Sequence, residues 1–271
     1  MLTEAQQRAL DKTLEYWQNR ELDAQERLTS KSIKETEKQL AKYYRHTSEN
    51  LQGQFLLTYK KVFEEMEMGK QPTPADLYKL DKYWKLQGQL KVELEKLGEK
   101  QIALYNKRFM EQYRNIYNSL ALKYDTNFNA LDDALIQQAI NNIWCADGQS
   151  WSNRVWHNTD KLQQALNDSL LDCLLRGGDT NKLKEMLQYE FNVDYNRADT
   201  IVRTEMAHIQ TTAAQQRYID AGIDKVMVWA DEDERRCDIC GKLHEKVYSI
   251  HEQMPIPAHP KCRCRIIAIV E

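Results

Sequence analysis

The sequence predicts a mainly α protein with a long N-terminal helical hairpin, a central helical bundle and a small C-terminal α+β module. Three observations carry this. Turn residues are scarce: 9 Gly and 5 Pro in 271 residues, where average usage gives about 19 and 14. That is too few for a many-stranded sandwich, barrel or propeller. Apolar residues recur at helical spacing through most of the chain before residue 223. Segment 223–271 then breaks the pattern, holding three of the five prolines and four of the six cysteines. The expected divisions are 1–125, 126–222 and 223–271.

The first helix is expected over residues 2–68. Ile33, Leu40, Tyr44, Leu51, Phe55, Tyr59, Val62 and Met66 follow at intervals of three, four or seven, one apolar stripe with Lys and Glu between. Gly69–Pro74 reads as a turn. Helix resumes near Ala75, where Tyr83, Leu86, Leu90, Leu94 and Leu97 continue the stripe to about residue 122. Two long helices with a short connection suggest an antiparallel hairpin, either a bundle core or an arm that docks on a partner.

Shorter helices follow at Ala130–Trp144 and Leu162–Leu175, with a turn at Asp147-Gly148. Gly177-Gly178 stops the second, and Asp179 or Thr180 caps the next stretch. Asp194 reads as the N-cap of a longer helix that carries Ala198, Ile201, Val202, Met206 and Ile209 on one face and ends at Gly222. Trp144, Trp151 and Trp156 suggest a small aromatic core. Beyond Gly222, Lys225–Ala230, Lys246–Ile250 and Ile266–Val270 read as brief strands.

Composition excludes several classes. At 42% hydrophobic and 29% charged the chain can bury a core and is not disordered by composition. No apolar run approaches the 18 residues of a membrane span, and the polar N-terminus does not read as a signal peptide. Six cysteines are not a secreted disulfide scaffold, so a reducing compartment is expected. A net charge of -3 excludes a strongly basic nucleic-acid coat, though not a local basic surface.

The chemistry concentrates at the C-terminus. Cys237-Asp-Ile-Cys240-Gly is a Cys-x-x-Cys knuckle, a spacing that lets two thiolates meet one tetrahedral Zn²⁺. His259-Pro-Lys-Cys262-Arg-Cys264 follows. His259 and Cys262 are spaced as a knuckle; Cys262 and Cys264 are spaced as same-side residues of an extended chain. Five candidates compete for four seats, and the preferred set is Cys237, Cys240 and Cys262 with either His259 or Cys264. A closed set would be a structural zinc, and binding worth about 10–16 kcal/mol would stabilise a module too small to hold on core alone. Disulfides, a catalytic zinc with an open position and a redox pair are the competing readings. His244 and His251 are expected at the surface. Cys145 and Cys173 are expected to be buried apolar residues. Asp231–Glu234 is expected to be a solvated loop. No phosphate loop, dinucleotide fingerprint, nucleophile elbow or His-Glu-x-x-His is present, so no enzyme is expected.

Arg203-Thr-Glu205 on a long helix, then Tyr218, Gly222, Trp229, Asp233, the Cys237–Cys240 knuckle and His259-Pro-x-Cys-Arg-Cys264 form a recognisable order. It resembles the C-terminal domain of tailed-phage head morphogenesis proteins, the minor head proteins similar to protein F of phage Mu. Asp147-Gly-Gln-Ser-Trp-Ser-x-Arg154-x-Trp156 and Gly177-Gly-Asp look like the middle of the same family. The resemblance covers roughly 125–271. It implies a virion component of the phage head at the portal vertex, assembled in the host bacterial cytoplasm. Its implied partners are the portal protein and capsid or scaffolding protein, with DNA as a further non-specific partner and no membrane. It also implies a zinc-binding Cys/His block. Arg203 and Glu205 carry over as matching positions, read either as an ion-pair junction between helix and metal module or as a local surface pair. Two other readings remain: a zinc-module nucleic-acid binder using Lys261, Arg263 and Arg265, and a metal-dependent nuclease, which would need an open coordination site.

Overall fold

The structure, a computed structural model, describes residues 3–65, 73, 74, 77, 81–121, 131–175 and 180–270. Among these, six helices and three strands run in the order α1 (Glu4–Glu65), α2 (Asp81–Ala121), α3 (Asp133–Asn141), α4 (Trp151–Leu175), α5 (Thr180–Asp220), β1 (Lys225–Trp229), α6 (Asp238–Leu243), β2 (Val247–Ser249) and β3 (Arg265–Ile269). The protein is mainly α, as its sequence predicts. No helix among the described residues is long and apolar enough to cross a membrane. Most of the expected turn at Gly69–Pro74, the restart near Ala75, the stop at Gly177-Gly178 and the cap at Asp179 lie outside the described residues.

Two compact units divide the chain: Met1–Thr36, Asn106–Ile143 and Thr200–Glu271 in one, Glu37–Tyr105 and Trp144–Asp199 in the other. These are spatial groupings of discontinuous segments, whereas 1–125, 126–222 and 223–271 are stretches of sequence. Both units take residues from α1, α2 and α5, because each of those helices is longer than the region it serves.

The second unit has an apolar core. Leu40, Tyr44, Leu51, Phe55 and Tyr59 of α1 are buried, as are Tyr83, Leu86, Leu90, Leu94 and Leu97 of α2. Val155, Leu162, Leu166 and Leu170 of α4 and Leu183, Leu187 and Phe191 of α5 complete it. Each such side chain contributes about 1.5–3 kcal/mol by leaving water. Ile33, which begins the stripe read from sequence, is half-buried; the buried positions there are Ser32 and Thr36. α4 begins eleven residues earlier than expected, because Ser150 caps it through Oγ, accepting from the Asn153 N–H at 3.2 Å. Asp147 accepts both bonds from the Arg154 guanidinium (2.7 and 2.8 Å) and one from the Gln149 N–H (3.1 Å), which locks the Asp147-Gly148 turn. Gly148 has φ of +67° there, a conformation that favours glycine. Of the three tryptophans, Trp151 is buried and meets Tyr105 edge-on at 6.3 Å, Trp144 is half-buried, and Trp156 is 37% exposed.

Asp194 is not an N-cap. It lies fourteen residues inside α5, is 1% exposed and accepts from the Tyr44 hydroxyl at 2.6 Å. The helix simply continues through it, since Leu183, Leu187 and Phe191 already supply an apolar face N-terminal to it.

In the first unit the helix interface is polar. Glu21, Gln25, Thr29, Ser32 and Thr36 of α1 are all buried, at successive helical spacings. Thr29 donates to Gln210 Oε1 (2.6 Å) and accepts from Gln112 Nε2 (2.7 Å). Gln210 Nε2 donates to Gln25 Oε1 (3.0 Å), and Gln25 Nε2 donates to the Ile266 carbonyl of β3 (3.2 Å). The Tyr218 hydroxyl donates to Glu21. Arg108 pairs with Glu35 at 3.0 Å four residues before the Gln112–Thr29 contact, so α1 and α2 run antiparallel here. Partners within the network make its burial tolerable, although Gln112 Oε1 is buried without one; each further lost partner would leave another costly orphan.

The sheet is antiparallel in the order β2-β1-β3. Its register sets Lys225 opposite Ser249 on one side and Trp229 opposite Arg265 on the other. Val226, Val228, Ile266 and Ile267 are fully buried. The three expected strands are therefore present to within two residues at each end.

Candidate metal centre

The knuckle starts just beyond β1. Cys237 is the N-cap of α6: its sulfur accepts from the Cys240 N–H at 3.4 Å, and the Gly241 N–H bonds the Cys237 carbonyl at 2.9 Å. This six-residue helix supplies the α part of the expected α+β module, at a place for which the sequence names only the knuckle. It turns both thiols toward the loop before β3, where His259, Cys262 and Cys264 lie.

His259 Nε2 stands 3.3 Å from Cys237 Sγ and 3.1 Å from Cys240 Sγ. Cys240 Sγ stands 3.7 Å from Cys262 Sγ. The donors form two triads, Cys237–Cys240–His259 and Cys240–Cys262–Cys264, and within each the ligand atoms lie within 4.8 Å of one another. Cys240 belongs to both. A tetrahedral ion with Zn–S near 2.3 Å requires sulfurs about 3.8 Å apart and sulfur–nitrogen separations of about 3.6 Å. The Cys240–Cys262 edge meets the first figure, and the His259 edges fall a few tenths of an ångström short of the second. The donor set therefore fits a thiolate-rich metal site, and all four cysteines are free thiols.

The electrostatics suit such a site. The Cys240 N–H draws the Cys237 thiol below its ordinary range. The Cys264 thiol, donating to Cys262, and the Cys264 N–H bring Cys262 down to about 5. Burial pushes Cys240 up to about 12, and the bond to Cys262 raises Cys264. Burial opposes a charge on His259, but the Pro260 carbonyl at 2.8 Å and the neighbouring thiolates raise it. Clustered sulfurs cannot all ionise together without a cation, and a metal supplies that charge.

The surrounding residues correct several expectations. Asp231–Glu234 is not merely a solvated loop. Asp233 takes both guanidinium nitrogens of Arg263 (2.8 and 2.5 Å), and Asp231 accepts from Arg265. Arg265 is also buried, donating to the Leu22 carbonyl at 3.1 Å and Glu26 at 3.3 Å. Of the three cations expected to meet phosphate, Arg263 and Arg265 are held by Asp233 and Asp231, while Lys261 is exposed. His244 is half-buried rather than free at the surface: its ring meets Trp229 at 4.7 Å, and Nδ1 accepts from the Ala230 N–H at 3.2 Å. His251 is exposed.

Residues 164–267 match the family model described as Phage Mu protein F like protein. Over this stretch the chain is similar to protein F of phage Mu. The matched stretch spans the second half of α4, all of α5, β1, α6, β2, both triads and the first part of β3. No curated protein and no solved structure gives a significant match. The Asp147–Trp156 motif lies N-terminal to the F-like stretch. Arg203 and Glu205 fall within it, the first half-buried and the second buried on α5. Between them, Thr204 Oγ1 accepts the Lys261 N–H at 3.1 Å, joining this turn of α5 to the loop between His259 and Cys262.

Cys173 is buried as expected, whereas Cys145 is half-buried. Sequence reasoning missed the Asp231/Asp233–Arg263/Arg265 pairing. The signal was available in the alternation Cys262-Arg-Cys-Arg265, where period two places cysteines on one side and arginines on the other.

Proposed function

We propose that this chain is a non-enzymatic minor head protein of a tailed phage, acting in head morphogenesis as a virion component. The observation that carries the reading is the F-like match over 164–267, because the matched stretch contains the whole Cys/His cluster. On this reading the cluster holds one structural zinc, closed by thiolates as structural sites are, and its task is to hold the small sheet. The portal protein is the proposed main partner, with capsid or scaffolding protein as a second.

The N-terminal end of α1 suits such docking. Among described residues 12–20 none is buried, and Tyr16 and Trp17 are 55% and 47% exposed, with the Arg20 guanidinium 5.7 and 5.2 Å from their rings. Trp, Tyr and Arg are the residues that dominate protein interfaces. Non-specific DNA contact would rest on exposed cations beside the cluster, Lys261 and Arg235, the latter also bonded to Asp233 at 3.2 Å.

Two measurements test the reading. Purified protein should carry about one zinc per chain, and Cys240→Ser should lose the metal and melt at lower temperature. Tagged protein should co-purify with the portal protein from infected cells, and Trp17→Ala should weaken that capture without changing the melting temperature. Zinc-free protein that melts cooperatively and matches Cys240→Ser would defeat the metal part. Virions lacking the chain altogether would defeat the assignment.

A further inference from the structure

We propose that Asp231 and Asp233 are positioning residues for the metal centre: they clasp Arg263 and Arg265 and so fix the distance between the two cysteine-bearing segments. The proposal rests on the zinc reading above.

The candidate ligands come from two pieces of chain. Cys237 and Cys240 follow β1; His259, Cys262 and Cys264 precede β3. Main-chain pairing between β1 and β3 runs out at Trp229 opposite Arg265. The knuckle begins eight residues past Trp229, so the ladder alone does not determine where its sulfurs stand. Carrying the register two residues further sets Asp231 opposite Arg263. The pairing continues in side chains where the backbone ladder has stopped.

The geometry is that of a clasp. Asp233 receives Arg263 through two parallel bonds of 2.8 and 2.5 Å, the fork arrangement in which a guanidinium is most directional. Asp231 Oδ2 stands 3.5 Å from the same guanidinium, and the other oxygen accepts from Arg265. Asp233 also shapes the approach to the knuckle. Its carboxylate accepts the Arg235 N–H at 3.0 Å, and its carbonyl accepts the Arg236 N–H at 3.0 Å. One carboxylate therefore sets the turn that delivers Cys237 and grips the strand that delivers Cys262 and Cys264.

Alternation explains why arginines do this. Cys262 and Cys264 alternate in sequence with Arg263 and Arg265 just before β3, so neighbouring positions supply sulfur donors and the guanidinia that the two aspartates hold. Arg263 lines the same cleft as Cys240, His259 and Cys264, so its tether to Asp233 acts directly beside the donors. The Asp233–Arg263 pair is partly exposed, and such a pair adds little to global stability, so its loss is expected to act on metal affinity far more than on folding. Supporting groups outside the ligand set commonly change affinity 10–100-fold.

The test uses the full chain, zinc affinity by competition with a chromophoric chelator, the Co²⁺ absorption spectrum and the melting temperature of the zinc-free protein. Asp233→Asn should weaken zinc binding at least tenfold. It should keep the d–d intensity of four-coordinate Co²⁺ and leave the zinc-free melt within about two degrees of the parent. Arg263→Gln should do the same, and the double variant should be no worse than either single change, because both remove one interaction. If one variant fails to fold, the other still decides the matter. Zinc affinity unchanged in both single variants would overturn the clasp while leaving the metal centre standing. A parent protein that binds no zinc would overturn the metal reading and the clasp with it.

Discussion

Replacing Asp194 with asparagine should change how stability depends on pH. Asp194 is buried in α5, and one of its oxygens accepts from Tyr44 at 2.6 Å while the other has no hydrogen-bond partner. The Arg197 guanidinium is 3.8 Å away, too far for a hydrogen bond. Burial raises the carboxyl from 3.8 to about 6. The native state therefore holds this proton more tightly than the unfolded chain. Its contribution to stability is fully present below pH 3.8 and is lost as pH rises through about 6. The gap corresponds to about 3 kcal/mol. Asparagine does not titrate, so urea unfolding should show the stability of Asp194→Asn minus that of the parent rising by about 2.4 kcal/mol between pH 4 and 7, most of the full gap. Comparing differences cancels the constant cost of burying an amide. Tyr44→Phe removes a donor that favours the charged form, so it should move the transition to higher pH. A parent-to-variant difference that stays flat within about 0.5 kcal/mol would refute the reasoning.

Other outcomes follow from particular contacts. A Cβ on Gly98 would stand 2.7 Å from the rigid ring of Trp156 and 3.2 Å from Thr159 Oγ1. Gly98→Ala should therefore destabilise by about 1 kcal/mol in thermal melts, although alanine normally favours a helix interior. Gln25→Leu strips partners from the Gln210 amide, the Tyr218 hydroxyl and the Ile266 carbonyl at once. It should cost about 2–4 kcal/mol by urea unfolding, and a neutral result would mean that water replaces the lost bonds. DNA retention, where gel shifts detect it, should fall steeply with salt. It should weaken with Lys261→Ala and be insensitive to Arg263→Ala.

Much of the fold was legible because long helices advertise themselves. The stripes through Leu40–Tyr59 and Tyr83–Leu97 need no partner to be recognised, since their period is set by the backbone alone. The strands near Val226, Tyr248 and Ile267 were legible for the same reason. The cysteine cluster was legible because ligand spacing is local within each half. What escaped is what depends on long-range approach. Glu21, Gln25, Thr29, Ser32 and Thr36 lie at core positions of α1, yet hydrophobic periodicity cannot see a polar core. Asp194 looks like a cap because Asp often is one, and the Tyr44 hydroxyl that makes it tolerable lies 150 residues away.

By itself, then, the sequence determined the helical class, the three strands and the two halves of a thiolate-rich centre, all properties written in short-range spacing. Tertiary structure alone decided that Cys240 stands at the junction of two donor triads. It also decided that two arginines read as phosphate contacts are held by Asp231 and Asp233. The reason is physical: backbone periodicity is local and survives without context, whereas the pairing of a charge or a buried donor is settled by whichever distant group the fold brings within three ångströms.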